Sequence, residues 1–173
     1  LIEIHCDTYF HAATILLDKI EQVQHNFLSK LQVDEKVAFL DHNFAPTRLR
    51  RNIAILGLIH KRVLGLCHRS FYELLPWYSQ RVETPRGFGH DKQLYGHWRE
   101  ATQHRALFSK SIFGMIDIYN NLPQYVVDAG TVSVFQSFLT NMAKDRCRRN
   151  DPLWASAFSN RLGSPDMAGP VIV

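Results

Sequence analysis

Of the 173 residues, 46% are hydrophobic and 21% charged, which excludes an intrinsically disordered chain and supplies the apolar material for one domain of ordinary size. No apolar run approaches the ~20 residues of a membrane span, so a membrane is not expected as a partner, and no secretory leader pattern is visible. The net charge of +4 is modest, and three widely spaced cysteines, Cys6, Cys67 and Cys147, argue against a disulfide framework and for a reducing intracellular compartment, nucleus or cytoplasm.

Residues 8–31 place Phe10, Ala13, Leu17, Ile20, Val23, Phe27, Leu28 and Leu31 along one stripe at helical spacing. A long amphipathic helix is expected there, capped by Thr8, with His11, Asp18, Gln22, His25 and Asn26 outward. A short helix follows over 34–42, with Asp34 as cap and Val37 and Leu40 inward; Pro46 ends that segment. The spacing predicts a third helix over 47–65, the most apolar, with Leu49, Ile53, Leu56, Ile59, Val63 and Leu64 covering a wide arc. Gly57 in its interior costs ~1 kcal/mol relative to alanine, which a close approach by another helix would explain. Gly65 suits the helix end.

Ser70 and Glu73 have the spacing of a capping box for a short helix running to Leu75. Pro76, Pro85, Gly87, Gly89 and Gly96 break any period, so residues 76–105 are expected to be rich in loops. Helical character returns over 107–149, with Ser111–Asn121, a break at Leu122-Pro123 and a helix from Thr131 that turns Val134, Phe135, Phe138, Leu139 and Met142 inward. The pair Val126-Val127 could form a small strand. Tyr119 and Leu122, three apart, are expected to lock the last turn of one helix onto the 47–65 helix. The expectation is therefore a mostly α, irregular helical domain of about five to six helices over residues 1–150, followed by a loose tail over 151–173. Because the first residue is Leu1 rather than Met, a piece of a longer protein is expected.

Charge is unevenly distributed. Residues 1–41 hold seven acids, Glu3, Asp7, Asp18, Glu21, Asp34, Glu35 and Asp41, whereas residues 42–72 hold none. The acid-free stretch carries Arg48, Arg50, Arg51, Lys61, Arg62 and Arg69, and a second cluster comprises Lys144, Arg146, Arg148 and Arg149. On the 47–65 helix Arg50 and Lys61 fall opposite the apolar arc, with Arg51 and Arg62 beside them, giving a narrow basic strip. These ten residues are the candidate nucleic-acid contacts, because clustered cations suit phosphate.

Nothing in the sequence points to catalysis. His90, His97 and His104 recur every seven residues, and His5-Cys6 and Cys67-His68 are adjacent pairs, but neither pattern has compact zinc spacing. No metal and no cofactor are expected. There is no Gly-x-Ser-x-Gly elbow, no His-Glu-x-x-His and no phosphate-binding glycine loop. The acids are scattered, so no pair of metal ions of the polymerase or nuclease kind is expected.

Two stretches carry a family resemblance. The first runs from Leu31 to Leu75 and includes Asn43-Phe44-Ala45-Pro46 and Arg50-Arg51-Asn52-Ile53-Ala54-Ile55-Leu56-Gly57-Leu58-Ile59-His60. It resembles the region after the polymerase core in reverse transcriptases of non-LTR (LINE-type) retrotransposons. In that family a Gln-x-x-x-Leu-like helix end precedes a Pro-Leu-x-x-Arg-Arg-like segment, and Gln24 to Leu28 and Pro46 to Arg51 stand in those positions. Asn52 and Ile55 depart from the Asp and Met common there. The second stretch comprises Ser111-Ile112-Phe113, Tyr119-Asn120-Asn121-Leu122-Pro123, Val126-Val127 and Val132 to Phe135. It resembles the family's closing pattern, with Tyr119 where many members carry Trp.

The resemblance implies a helical thumb or linker region of an RNA-directed DNA polymerase, following an upstream polymerase domain that would be its partner. Such a segment would hold template RNA, primer or target DNA without doing chemistry. The rival expectation is a helical scaffold that binds protein, and a folded relic without a retained role is a third. The basic strip separates the first two: exposure of Arg50, Arg51, Lys61 and Arg62 on one surface favours nucleic acid. Pairing with the acids of the first 41 residues makes them internal glue.

Overall fold

A computed structural model describes residue 10 and residues 12–78, 90–96 and 103–160. Thr8 and His11 lie outside the described residues. The first helix, α1, spans Thr14–Leu31 and closes on Gln32, whose left-handed backbone lets its N–H reach the Leu28 and Ser29 carbonyls. Leu17, Gln24 and Leu28 are buried, but Leu16, Val23, Phe27 and Leu31 are exposed. At 3.6 residues per turn the exposed four occupy roughly 80° of arc directly beside the buried three. The apolar arc of α1 is thus wider than the rest of the fold covers, and the expected inward positions of Val23, Phe27 and Leu31 are corrected to an outward shoulder.

The second helix, α2 (Glu35–His42), starts where Asp34 accepts a hydrogen bond from the Lys36 N–H at 2.8 Å. Ala38 and Phe39 face inward; Val37 is exposed and Leu40 partly buried, so the inward face lies one residue away from the expected one. The central helix, α3 (Thr47–Val63), buries Leu49, Ile53, Leu56 and Ile59 as the spacing predicts. It also buries Ile55, Gly57, Arg51, Asn52, His60 and Arg62, so little of its middle reaches solvent. A Cβ on Gly57 would come within 2.5 Å of the amide nitrogen at the end of the Gln136 side chain, so α8 approaches α3 closely there, though that flexible side chain could shift aside.

Gly65, at φ 78°, ends this segment in the left-handed region. Then α4 (Ser70–Leu74) forms without the expected capping box: the Ser70 hydroxyl pairs with the His68 ring instead, at 3.2 Å. Trp77 and Leu94 form an isolated antiparallel bridge, flanked by hydrogen bonds from the Tyr78 N–H to the Gln93 carbonyl and from the Tyr95 N–H to the Pro76 carbonyl.

The second helical group is more fragmented than its sequence suggests. It comprises α5 (Arg105–Ser109), a 3-10 turn at Ile112–Met115, α6 (Ile116–Asn120), α7 (Gln124–Val127) and α8 (Val132–Arg148). Tyr119 and Leu122 are buried, and Asn121 caps α6 by donating to the Asp117 carbonyl at 2.7 Å. Pro123 stands at the start of α7, so the Val126-Val127 pair is helical rather than extended. On α8, capped by Thr131, the buried face is Phe135, Leu139, Ala143 and Cys147; Phe138 and Met142 are half-buried and Val134 is exposed.

Residues 151–160, expected in a loose tail, pack on the core. Trp154 stacks on Phe39 with ring centres 5.2 Å apart, and the Asn160 amide donates to the Ser109 carbonyl at 2.6 Å. The architecture is mostly α, with eight α-helices and no strand among the described residues. The contact between α3 and α8 is the largest between any two elements described. Among the described residues no helix is long and apolar enough to cross a membrane.

Candidate nucleic-acid interface

The basic strip of α3 divides by partner. Arg48 presents two guanidinium nitrogens to Glu21 on α1, at 3.1 and 2.7 Å, and a third to the Ser156 hydroxyl at 3.0 Å. Arg51, only 4% exposed, turns Nη2 to the same carboxylate at 3.4 Å. Glu21 therefore clamps two arginines, and Asp18 adds a longer contact to Arg48 at 3.9 Å. Arg50 donates to Gln24 at 3.0 Å, lies over the Phe44 ring at 5.0 Å, and lines a cleft of about 250 Å³ with Asn43, Ile53, Gln136 and Thr140. The N-terminal half of the strip thus joins α1 to α3, and the buried Arg51 is withdrawn from any outer surface.

At the other end of α3 the arrangement differs. Arg62 is 1% exposed, yet no carboxylate among the described residues meets it. Its guanidinium lies over two rings instead, 4.3 Å from the centre of Trp77 and 5.1 Å from that of Tyr72. Nε and Nη1 have no hydrogen-bond partner. Each unpartnered N–H costs ~1–3 kcal/mol, and the ring contacts return ~1–2 kcal/mol apiece. Burial lowers the Arg62 pKa and raises that of the nearby Cys67 thiol, on which Lys61 and Arg62 are the charges that act. Lys61 and Arg69 are both exposed, and Arg69 opens the turn that carries Tyr72.

The second basic cluster is mostly tied down. Lys144 lies over the Phe39 ring at 5.6 Å, Arg146 pairs with Asp151 at 2.6 Å, and Arg148 pairs with Asp145 at 2.7 Å. Arg149 is exposed.

Inside the fold, Tyr119 joins two buried histidines. His60 donates from Nε2 to the Ala129 carbonyl at 2.9 Å, leaving Nδ1 to accept from the Tyr119 hydroxyl at 3.0 Å. His90 donates from Nε2 to the Tyr119 carbonyl at 3.0 Å and accepts from the Lys92 N–H at Nδ1. Burial lowers the pKa of both histidines and raises that of Tyr119. Both rings are neutral donors and acceptors that tie the middle segment to α3 and α6. His104 is exposed, and His5, Cys6 and His97 lie outside the described residues.

Sequence reasoning passed over Trp77 and Tyr72, the two rings that hold Arg62. The available signal was weak: aromatic residues placed 10 and 15 positions after an arginine, with no period linking them. The sequence matches no protein-family model, and no curated protein or solved structure matches it.

Proposed function

We propose that the chain is a non-catalytic helical accessory module, of the thumb or linker kind suggested by its resemblance to non-LTR reverse transcriptases, that contacts the RNA or DNA backbone. The surface that favours this reading is not the Arg48–Arg51 end of α3 but the Lys61–Arg69 end. The observation that carries it is that Lys61 and Arg69 are exposed at this end of α3, next to a buried Arg62 on which no carboxylate among the described residues bears. Charge left uncompensated at a surface attracts phosphate, and the contact it makes is insensitive to sequence.

The test is binding of a labelled RNA or DNA oligonucleotide as a function of salt. Each phosphate contact contributes roughly −0.7 to −0.9 to the log–log slope, so reversing both Lys61 and Arg69 to Glu should flatten it by about 1.4–1.8. Reversing Arg149 serves as a comparison at the second cluster. Absence of binding at low salt, or a slope indifferent to Lys61 and Arg69, defeats the proposal.

The outward shoulder of α1 favours a second reading, a protein-packing module. Leu16, Ile20, Val23 and Phe27 follow the 4-3-4 spacing of a helix–helix seam, which a second copy of the chain would match. A concentration-independent monomer mass in analytical ultracentrifugation would remove that partner.

A further inference from the structure

We propose that Trp77, backed by Arg62, is a stacking platform for an unpaired nucleobase, so that the Lys61–Arg69 end of α3 prefers single strands to duplex. This rests on the nucleic-acid reading above and specifies which form of nucleic acid the surface takes. Trp77 is 48% exposed although its ring lies against a guanidinium 4.3 Å away that is itself almost fully buried. One side of the indole is therefore occupied and much of the remainder is open.

The backbone that carries the ring is also held in place before any ligand arrives. Trp77 bridges to Leu94, and Leu94 is gripped at both backbone groups by the Asn120 amide, its carbonyl accepting at 2.8 Å and its N–H donating at 3.0 Å. Asn120 closes α6, so the platform is anchored to the core. Binding then orders little further backbone, which is what preorganisation contributes to affinity. Every base has a π face, so stacking tolerates any sequence, while a duplex hides those faces within its own stack. The Lys61 and Arg69 side chains supply the cations that a strand's phosphates require.

Tyr78 and Tyr95 supply an internal comparison. Their rings are 5.4 Å apart and pair with each other, not with Arg62. Neighbouring residues of an extended segment point to opposite sides, so Tyr78 projects away from the Trp77 side.

The experiment measures fluorescence anisotropy of labelled oligo(U) and of a blunt RNA duplex with the whole chain at low salt, in the parent, Trp77→Leu, Trp77→Phe and Tyr78→Leu. The parent should bind the single strand more tightly. Trp77→Leu should weaken single-strand binding roughly 5- to 150-fold, the equivalent of one lost base stack, and leave duplex binding and the salt slope unchanged. Trp77→Phe should retain most of the affinity, and Tyr78→Leu should match the parent. Oligo(U) should also quench the parent's tryptophan fluorescence, and the quench should be missing in Trp77→Phe. Should Trp77→Leu fail to fold by circular dichroism, the Phe variant and the quench decide the matter. Equal binding of single strand and duplex, unaffected at Trp77, overturns the platform and leaves the backbone-contact reading standing. No binding of either form by the parent overturns both.

Discussion

Replacing Glu21 with Gln tests the clamp between α1 and α3 with little change of shape. The carboxylate holds two cations that differ in environment. Arg48 is 36% exposed and meets it in a fork of two hydrogen bonds, so solvent screening limits that pair to about 1 kcal/mol. Arg51 is 4% exposed and has the longer contact of 3.4 Å. Breaking a buried pair usually costs ~3–5 kcal/mol, but here the glutamine carbonyl still accepts one bond, so ~1–3 kcal/mol is the reasonable share. The sum is a loss of about 2–4 kcal/mol. Urea titration followed by far-ultraviolet circular dichroism reads it as a lower midpoint at unchanged slope. Arg48→Met alone should lose no more than about 1 kcal/mol. If Glu21→Gln stays within about 1 kcal/mol of the parent, or Arg48→Met costs as much as Glu21→Gln, the assignment of the larger share to the buried Arg51 is refuted.

Two further outcomes follow from buried groups. Both His60 and His90 have native pKa values lowered by burial, so the unfolded chain takes up protons first as the pH falls through about 6.5. The contribution of these two groups should be flat above that pH and fall below it by about 1.4 kcal/mol per pH unit for each histidine, down to their native pKa values. His60→Asn should roughly halve the slope of stability against pH measured by urea titration, and a slope untouched by the variant would show that His60 is not its source. Gly114→Ala should destabilise by roughly 2 kcal/mol or more, because a Cβ there would overlap the Ser109 carbonyl, which as backbone cannot swing aside. A thermal melt equal to the parent's would contradict that contact.

What was legible in the sequence was local. The Asp34 and Thr131 caps and the apolar arc of α3 all depend on residues within one or two turns. What was not legible depended on partners far along the chain. Nothing near Arg51 announces that Glu21, 30 positions earlier, will meet it, and a helical wheel treats Arg51 and Arg62 alike although one meets a carboxylate and the other two rings. On α1 the wheel located the apolar arc correctly, but the fold covers only part of it, which no period encodes. The Val126-Val127 pair has strand propensity, and Pro123 at the first turn of a helix outweighs it. The tail reads as loose from its glycine- and proline-containing end, whereas Trp154 and Ala157 at its start are buried in the core.

The packing of residues 151–160 also sets a timetable. Asn52 reaches across 105 positions to the Ala157 carbonyl, and Arg48 across 108 to the Ser156 hydroxyl. On a ribosome adding roughly 5–20 residues per second, α3 is synthesised about 5–20 s before the segment that seals this side of it. Through that interval Phe39 lacks its stacking partner and the buried amide of Asn52 lacks its acceptor. The nascent chain therefore passes through a stage with its long helices made and one flank of its core still open. Its vulnerability to aggregation should be concentrated there rather than in the finished domain.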